Sequence, residues 1–271
     1  MRLKVVLEAP SPFFLPWDYP ERLPGVVYSA LRRWDPGLAA ALHNQGLVAG
    51  GRRYKPFTYS WLWPRAVSRQ KDGLLMEPPV RWWISSPLAE VLEGVVAPFL
   101  AAGKVEVGGV ALTISLVEVE GTPDLTSPVV LETLAPIVAS TGGEWEGRFQ
   151  KVFLEPWDED FHRVLTQNLR NKAQALGERV SEDAWVRLEP LGVVRSRLVK
   201  VRDTAVRGFE GRYRALGAPF SSAWGMRWVL GSATGRALGW YRWPGVKDVR
   251  RTHPEITLKR MRMQARSRKA R

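Results

Sequence analysis

The order in which apolar periodicity changes along the first half of the chain restricts the fold more than any single motif does. Leu3, Val5 and Leu7 alternate over Arg2 to Glu8, which predicts a strand. After a proline-rich turn, Glu21 to Arg33 reads as a helix. Asp35-Pro36 then supplies an N-cap and a first-turn proline for a second helix, which stops at Gly46. Phe57 to Trp63 and Val80 to Ile84 are aromatic and β-branched, so both read as strands. Ser86-Pro87 caps a further helix whose Val91, Leu92, Val95, Val96, Phe99 and Leu100 follow a helical period, and Gly103 ends it. Val105 to Glu120 returns as an extended strand or a hairpin around Gly108-Gly109.

This order is β-α-β-β-α-β with a helical insertion after the first helix, the ferredoxin-like arrangement. Gly121-Thr122-Pro123-Asp124 reads as a linker, and the second half repeats the plan. Strand signals cover Val129 to Val138. A helix opens at Asp158, turns Phe161, Leu165 and Leu169 inward and closes at Gly177. Val193 to Arg202 and Val206 to Ala215 read as paired strands, followed by a helix near Phe220 to Val229, a glycine-punctuated loop and a strand at Leu238 to Trp243. The expected class is α+β: two tandem ferredoxin-like (RRM-like) domains, 1–122 and 123–243, with a basic extension at 244–271.

Charge narrows the partners. The 271 residues carry a formal charge of +13. From Arg242 to Arg271, eleven Lys/Arg stand against Asp248 and Glu255, so the tail supplies +9 of that excess. The body is only mildly basic, and any patch on it must be argued from particular residues. Arginines outnumber lysines three to one; planar guanidinium grips phosphate and stacks on bases, which favours nucleic acid over a membrane surface. An arginine-rich genome or a thermophilic source would produce the same bias. With no cysteine, disulfides, thiolate-bound zinc and cysteine nucleophiles are excluded. Lys4 and Glu8 interrupt the apolar run near the start, and no stretch reaches the length of a membrane span, so a cytoplasmic location and no membrane partner are expected.

Three residues between Tyr28 and Ser60 could carry chemistry. His43 ends the short helix from Pro36, where the dipole favours imidazolium and the side chain suits proton transfer near neutral pH. A helix-capping histidine without a catalytic role explains it better when taken alone. Tyr28 lies mid-helix and either packs in the core or orients a ribose 2′-hydroxyl. Lys55, read as the start of the next strand, is either a solvated lysine or a charge for a phosphorane. Together they would support metal-free transesterification of RNA. Other classes lack parts: His43, His162 and His253 are far apart with no carboxylate spacing around them, and there is no P-loop, dinucleotide fingerprint or serine-triad motif. No metal or cofactor is expected.

For RNA contact, Arg195, Arg197, Lys200 and Arg202 add charge beside Arg212 and Arg214, which alternate with Phe209 and Tyr213. The loop Gly231 to Gly239 offers Ser232, Thr234 and Arg236 to phosphates, although an ordinary turn explains it equally well.

The segments MRLKVVLE, LPGVVYSAL, ALHNQG, KPFTYS, RWWISSPLAEVL, LAPIVAS, NLRNKA, GFEGRYRALG and GSATGRALGWY occur in one order from Met1 to about Tyr241. In that order the chain resembles the CRISPR-associated endoribonucleases that cut precursor CRISPR RNA within its repeats, a family built from two ferredoxin-like domains. The resemblance implies that His43 carries acid–base work, Tyr28 assists at the 2′-hydroxyl and Lys55 stabilises the transition state. It also implies 2′,3′-cyclic phosphate and 5′-hydroxyl ends. Two departures stand out. Ala233 occupies a position that is often basic in the family's C-terminal loop, and Tyr241 stands where a last glycine is common, with Arg236 as a substitute contact. Repeat RNA of the precursor is the expected partner; a homodimer and hand-over to a CRISPR effector complex are compatible with the resemblance. The alternatives are a non-catalytic RNA-binding subunit of the same superfamily and a general RNA- or ribosome-associated protein.

Overall fold

The computed structural model describes residues 1–121, 128–145, 147–201, 204–217 and 240–242. The expected helix near Phe220, the glycine-punctuated loop and the tail from Pro244 lie outside them.

The chain opens with β1 (Arg2–Glu8) and β2 (Phe13–Pro16), followed by α1 (Tyr19–Trp34), α2 (Pro36–Asn44) and a small hairpin, β3 (Leu47–Ala49) and β4 (Arg52–Tyr54). It continues through β5 (Thr58–Tyr59), β6 (Trp63–Arg69), β7 (Gly73–Ser85), α3 (Ala89–Ala102), β8 (Lys104–Val107) and β9 (Val110–Glu120). β7 is the hub of the first sheet, pairing with β1, β2, β5 and β6, while β9 covers the other edge of β1. The spatial order β6-β7-β1-β9 is that of a ferredoxin-like sheet, with β2, β5 and β8 added. Its inner face is the alternating Leu3, Val5 and Leu7 of β1, all buried under α1 and α3. α1 lays Tyr19, Leu23, Val27 and Leu31 on that face at helical spacing, and α3 adds Val91, Leu92, Val95, Val96 and Phe99. Leu100, expected in that series, is exposed.

The second half contains β10 (Val129–Ala135), β11 (Ala139–Trp145), β12 (Arg148–Leu154), α4 (Glu159–Ala175) and β13 (Arg187–Pro190). Then come β14 (Arg195–Val201), β15 (Thr204–Glu210), β16 (Arg212–Leu216) and β17 (Trp240–Arg242). The order β13-β16-β10-β17 repeats the first plan. The hairpins β11–β12 and β14–β15 are inserted into it. Phe161, Leu165 and Leu169 of α4 fill the second core as the periodicity predicts.

Three sequence readings need correction. Val206 to Ala215 is two strands broken at Gly211: β15 pairs with β14, whereas β16 pairs with β10 and β13. The chain approaches Val193 and Val194 closely at the break, where a Cβ on Gly211 would sit 3.1–3.3 Å from them. Phe57 to Trp63 is not one strand: Thr58 and Tyr59 pair with β7, the Trp61 amide donates instead to the Leu134 carbonyl in the second half, and Trp63 already belongs to β6, where it pairs with Arg81 of β7. Lys55 therefore lies in the loop between β4 and β5 and starts no strand.

The two halves are stitched by the β3–β4 hairpin. Tyr54 is 1% exposed, and it is buried in the second core beside Leu165 and Leu169. The Asn171 amide of α4 donates to its hydroxyl at 3.1 Å. The Trp63 indole donates to the Leu134 carbonyl at 3.0 Å and adds a second joint.

Candidate active site

The Asp35 carboxylate accepts from the Leu38 amide at 2.9 Å and caps α2 as the sequence predicts, which fixes the short helix ending at His43 and Asn44. His43 is exposed there. Its Nδ1 faces Asn44 Oδ1 at 3.2 Å; with that oxygen as acceptor, Nδ1 carries the proton and Nε2 is the basic nitrogen.

Tyr28 of α1 is half-buried beneath His43. The two rings meet edge to face with centroids 5.1 Å apart, and Phe57 supports the other side of Tyr28 at 5.2 Å. The Tyr28 hydroxyl reaches the Leu42 carbonyl at 3.5 Å, a long contact. Burial pushes its phenol up to about 12, so it acts as a neutral donor near pH 7.

Lys55 arrives from the other side. Its Nζ donates to the Leu42 carbonyl at 2.8 Å and to the His43 carbonyl, and it stands 5.9 Å from the centre of the Tyr28 ring. Burial lowers its pKa, with nearby Arg53 adding in the same direction. Arg53 in turn donates to the Asn44 carbonyl at 3.0 Å. The C-terminal carbonyls of α2 are therefore closed by two cations at the negative end of the helix.

Tyr28, His43 and Lys55 thus stand at one place, a half-buried phenol and ammonium under an exposed imidazole. Three residues of the surroundings are missing from the sequence reading. Asn44 was visible as the residue next to His43, but nothing in its type announced a partner for the imidazole. Tyr54 and Asn171, which hold the hairpin leading to Lys55, are 117 residues apart, and no local pattern links them.

The expected RNA-binding residues that the structure describes lie on β14 and β16. Arg195 is exposed on β14, and Arg197 beside it is held by Glu210 at 2.7 Å. Arg212 and Arg214 are exposed on β16, beyond the break at Gly211; Arg214 lies 3.9 Å from Glu189. Lys200 is placed on β14 by its backbone. Arg202, Ser232, Thr234 and Arg236 lie outside the described residues.

Two ferredoxin-like sheets of the same strand order, joined through a hairpin beside a histidine–tyrosine–lysine cluster, define a tandem ferredoxin-like α+β protein. The CRISPR associated protein Cas6 C-terminal family model matches residues 120–240, and the Cas6 N-terminal model of subtype I-A matches residues 14–118. The chain belongs to the Cas6 family of CRISPR-associated proteins. The CRISPR-associated endoribonuclease Cas6 1 of Methanocaldococcus jannaschii is 28% identical over 176 residues, which span 65% of this chain and 66%, just under two thirds, of that protein. Among solved structures, a CRISPR associated protein Cas6 aligns with a TM-score of 0.71 at 24% identity, covering 90% of this chain and 99% of that one. A Cas6-related protein from Pyrococcus furiosus aligns at 0.76 and 19% identity, covering 91% and 99%. An RAMP protein described as binding different RNA substrates aligns at 0.73 and 20% identity, covering 90% and 99%. These likenesses bear on the fold. Among the described residues, no helix is long and apolar enough to cross a membrane.

Proposed function

We propose that the chain is an endoribonuclease that cuts precursor CRISPR RNA within its repeats, without a metal ion. The meeting of Tyr28, His43 and Lys55 at the end of α2 carries this reading. Family membership supplies the substrate class. The ribose 2′-oxygen attacks the adjacent phosphorus, the bond to the 5′-oxygen breaks, and the products are a 2′,3′-cyclic phosphate and a 5′-hydroxyl. His43 is the acid–base group: its exposed imidazole takes the 2′-hydroxyl proton and passes a proton to the departing 5′-oxygen. Tyr28 donates as a neutral phenol at the 2′-hydroxyl, and the Lys55 ammonium offsets charge on the phosphorane. In this division of labour, residues 1–122 carry the chemistry and 123–243 hold RNA through Arg195, Arg197, Lys200, Arg202, Arg212, Arg214, Ser232, Thr234 and Arg236. The tail 244–271 adds phosphate contacts.

The test is incubation with repeat RNA in EDTA, beside His43→Ala. Cleavage that persists in EDTA and falls about 100-fold or more in the variant, with RNA binding retained, supports the enzyme. Binding without cleavage by the wild-type chain makes it a non-catalytic RNA-binding subunit instead.

A further inference from the structure

A second site lies along α4, away from the Tyr28–His43–Lys55 cluster. Arg163, Thr166, Gln167 and Arg170 form one stripe of the helix, and the segment Trp185 to Arg187 runs beside it. Between them is an open groove of about 360 Å³, at the small end of ligand-sized clefts.

The groove wall is built rigidly. The Thr166 hydroxyl accepts from the Val186 amide at 3.0 Å and donates to the Val186 carbonyl at 3.3 Å. His162 Nδ1 accepts from the Leu188 amide at 3.3 Å. Arg170 clamps the segment by donating to the Ala184 carbonyl at 2.7 and 3.0 Å, and to the Glu182 carbonyl. The backbone of this segment is thus held by α4 side chains, and its one large side chain is left outside: Trp185 is 45% exposed. The backbone that carries this half-exposed indole is already ordered, so a stacking partner need not order it.

Guanidinium groups flank it. Arg163 is held by Asp160 at 2.9 Å, and Arg187 by Glu159 at 2.7 Å. Both pairs are largely exposed to solvent, where such ion pairs contribute little, so the arginines can exchange a carboxylate for a phosphate at small cost. Gln167 donates to Asn171 Oδ1 at 2.8 Å, Asn171 donates to Tyr54, and a Cβ on Gly50 would touch the Asn171 amide at 3.2 Å. These contacts tie the groove's helix, through the interior, to the β3–β4 hairpin that links His43 on one side to Lys55 on the other.

We infer that this groove binds single-stranded RNA, stacking one base on Trp185 while Arg163 and Arg187 hold the flanking phosphates. It is a holding site for a part of the RNA strand outside the cleavage centre. This deepens the ribonuclease reading and rests on it for the nature of the polymer.

The test measures binding of a twelve-residue oligouridine to the full chain as a function of salt, for wild type, Trp185→Ala, Trp185→Phe and the double variant Arg163→Ala/Arg187→Ala, beside cleavage of repeat RNA. Trp185→Ala should weaken binding about 5- to 100-fold, the range for one lost base stack, and Trp185→Phe should recover most of it. The double arginine variant should lower the salt slope by roughly one to one and a half, as expected for two lost phosphate contacts to a single strand. Circular dichroism checks that the exposed substitutions leave the fold intact. If wild type cleaves repeat RNA while all variants bind oligouridine equally, the groove is refuted and the ribonuclease reading stands. Tryptophan-dependent binding without cleavage keeps the groove and removes the enzyme. No oligouridine binding by wild type refutes the groove, leaving the cleavage assay to judge the enzyme.

Discussion

Lys55 Nζ donates to the Leu42 carbonyl at 2.8 Å, so the lysine read from sequence as a lone charge is a C-terminal clamp on the helix that carries His43. Helix carbonyls favour a cation there, while burial and Arg53 favour the neutral amine. Lys55 thus both places His43 and supplies a charge beside it.

That double role predicts a pH signature. Because the Lys55 pKa is lowered, its charge is lost at a pH below the ordinary 10.5. Cleavage that needs the ammonium should fall on the alkaline side as pH rises through the lowered value. Lys55→Arg, whose guanidinium does not titrate in this range, should move that limb to higher pH while retaining part of the rate. A limb left in place by the substitution would assign it to another group.

Tyr28 should behave differently. With its pKa pushed up to about 12, the phenol stays protonated throughout the range where Lys55 titrates. Tyr28→Phe keeps the edge-to-face contact with His43 and removes only a hydrogen-bond donor, so cleavage should slow by about tenfold or less with the alkaline limb unmoved. Tyr28→Ala also removes the ring beneath the imidazole and should cost more. Equal losses in the two variants would mean that the ring's support of His43 counts for little.

The helices of this site were legible because their ends are written in single residues: Asp35 caps α2, and Gly103 closes α3 with a left-handed φ of 66°. The ferredoxin-like order was legible because β1 and α1 have clean periods of their own. The pairing of β14 with β15 was legible too, whereas the hairpins β11–β12 and β3–β4 were not. β11 reads ASTGGEW, which has little strand propensity, and its pairing comes from β12 across the turn. β3 and β4 have three residues each and are joined through Gly50 and Gly51, too short to show alternation. The convergence of Tyr28, His43 and Lys55 follows from tertiary packing and was reachable in sequence only through the family resemblance. The groove beside Trp185 left no sequence trace, because hydrogen bonds from α4 to a loop, with no periodicity of their own, make it.

Tyr54 tests how far the halves depend on one another. Tyr54→Phe removes the hydrogen bond from Asn171 and should cost about 1 kcal/mol in urea unfolding, with cleavage near wild type. Tyr54→Ala opens a cavity in the second core and should cost about 3–5 kcal/mol. It also loosens the hairpin that ends at Lys55, so cleavage should drop at temperatures where the chain remains folded. Retained activity in folded Tyr54→Ala would show that Lys55 is positioned by α2 alone.

Lys172 of α4 is 2% exposed, and burial lowers its pKa to about 7. In the unfolded chain the same amine keeps its proton up to the ordinary value of 10.5. Between those values the unfolded state binds more protons, so this residue makes stability rise with pH; below about 7 both states are protonated and the slope vanishes. Each pH unit inside the window contributes up to about 1.4 kcal/mol. Lys172→Met keeps the stem and removes the titration, so other charges cancel in the comparison with wild type. The variant should be more stable than wild type below the window and lose that advantage steadily across it, as read by urea unfolding at several pH values. A difference independent of pH would show that the folded chain holds Lys172 charged.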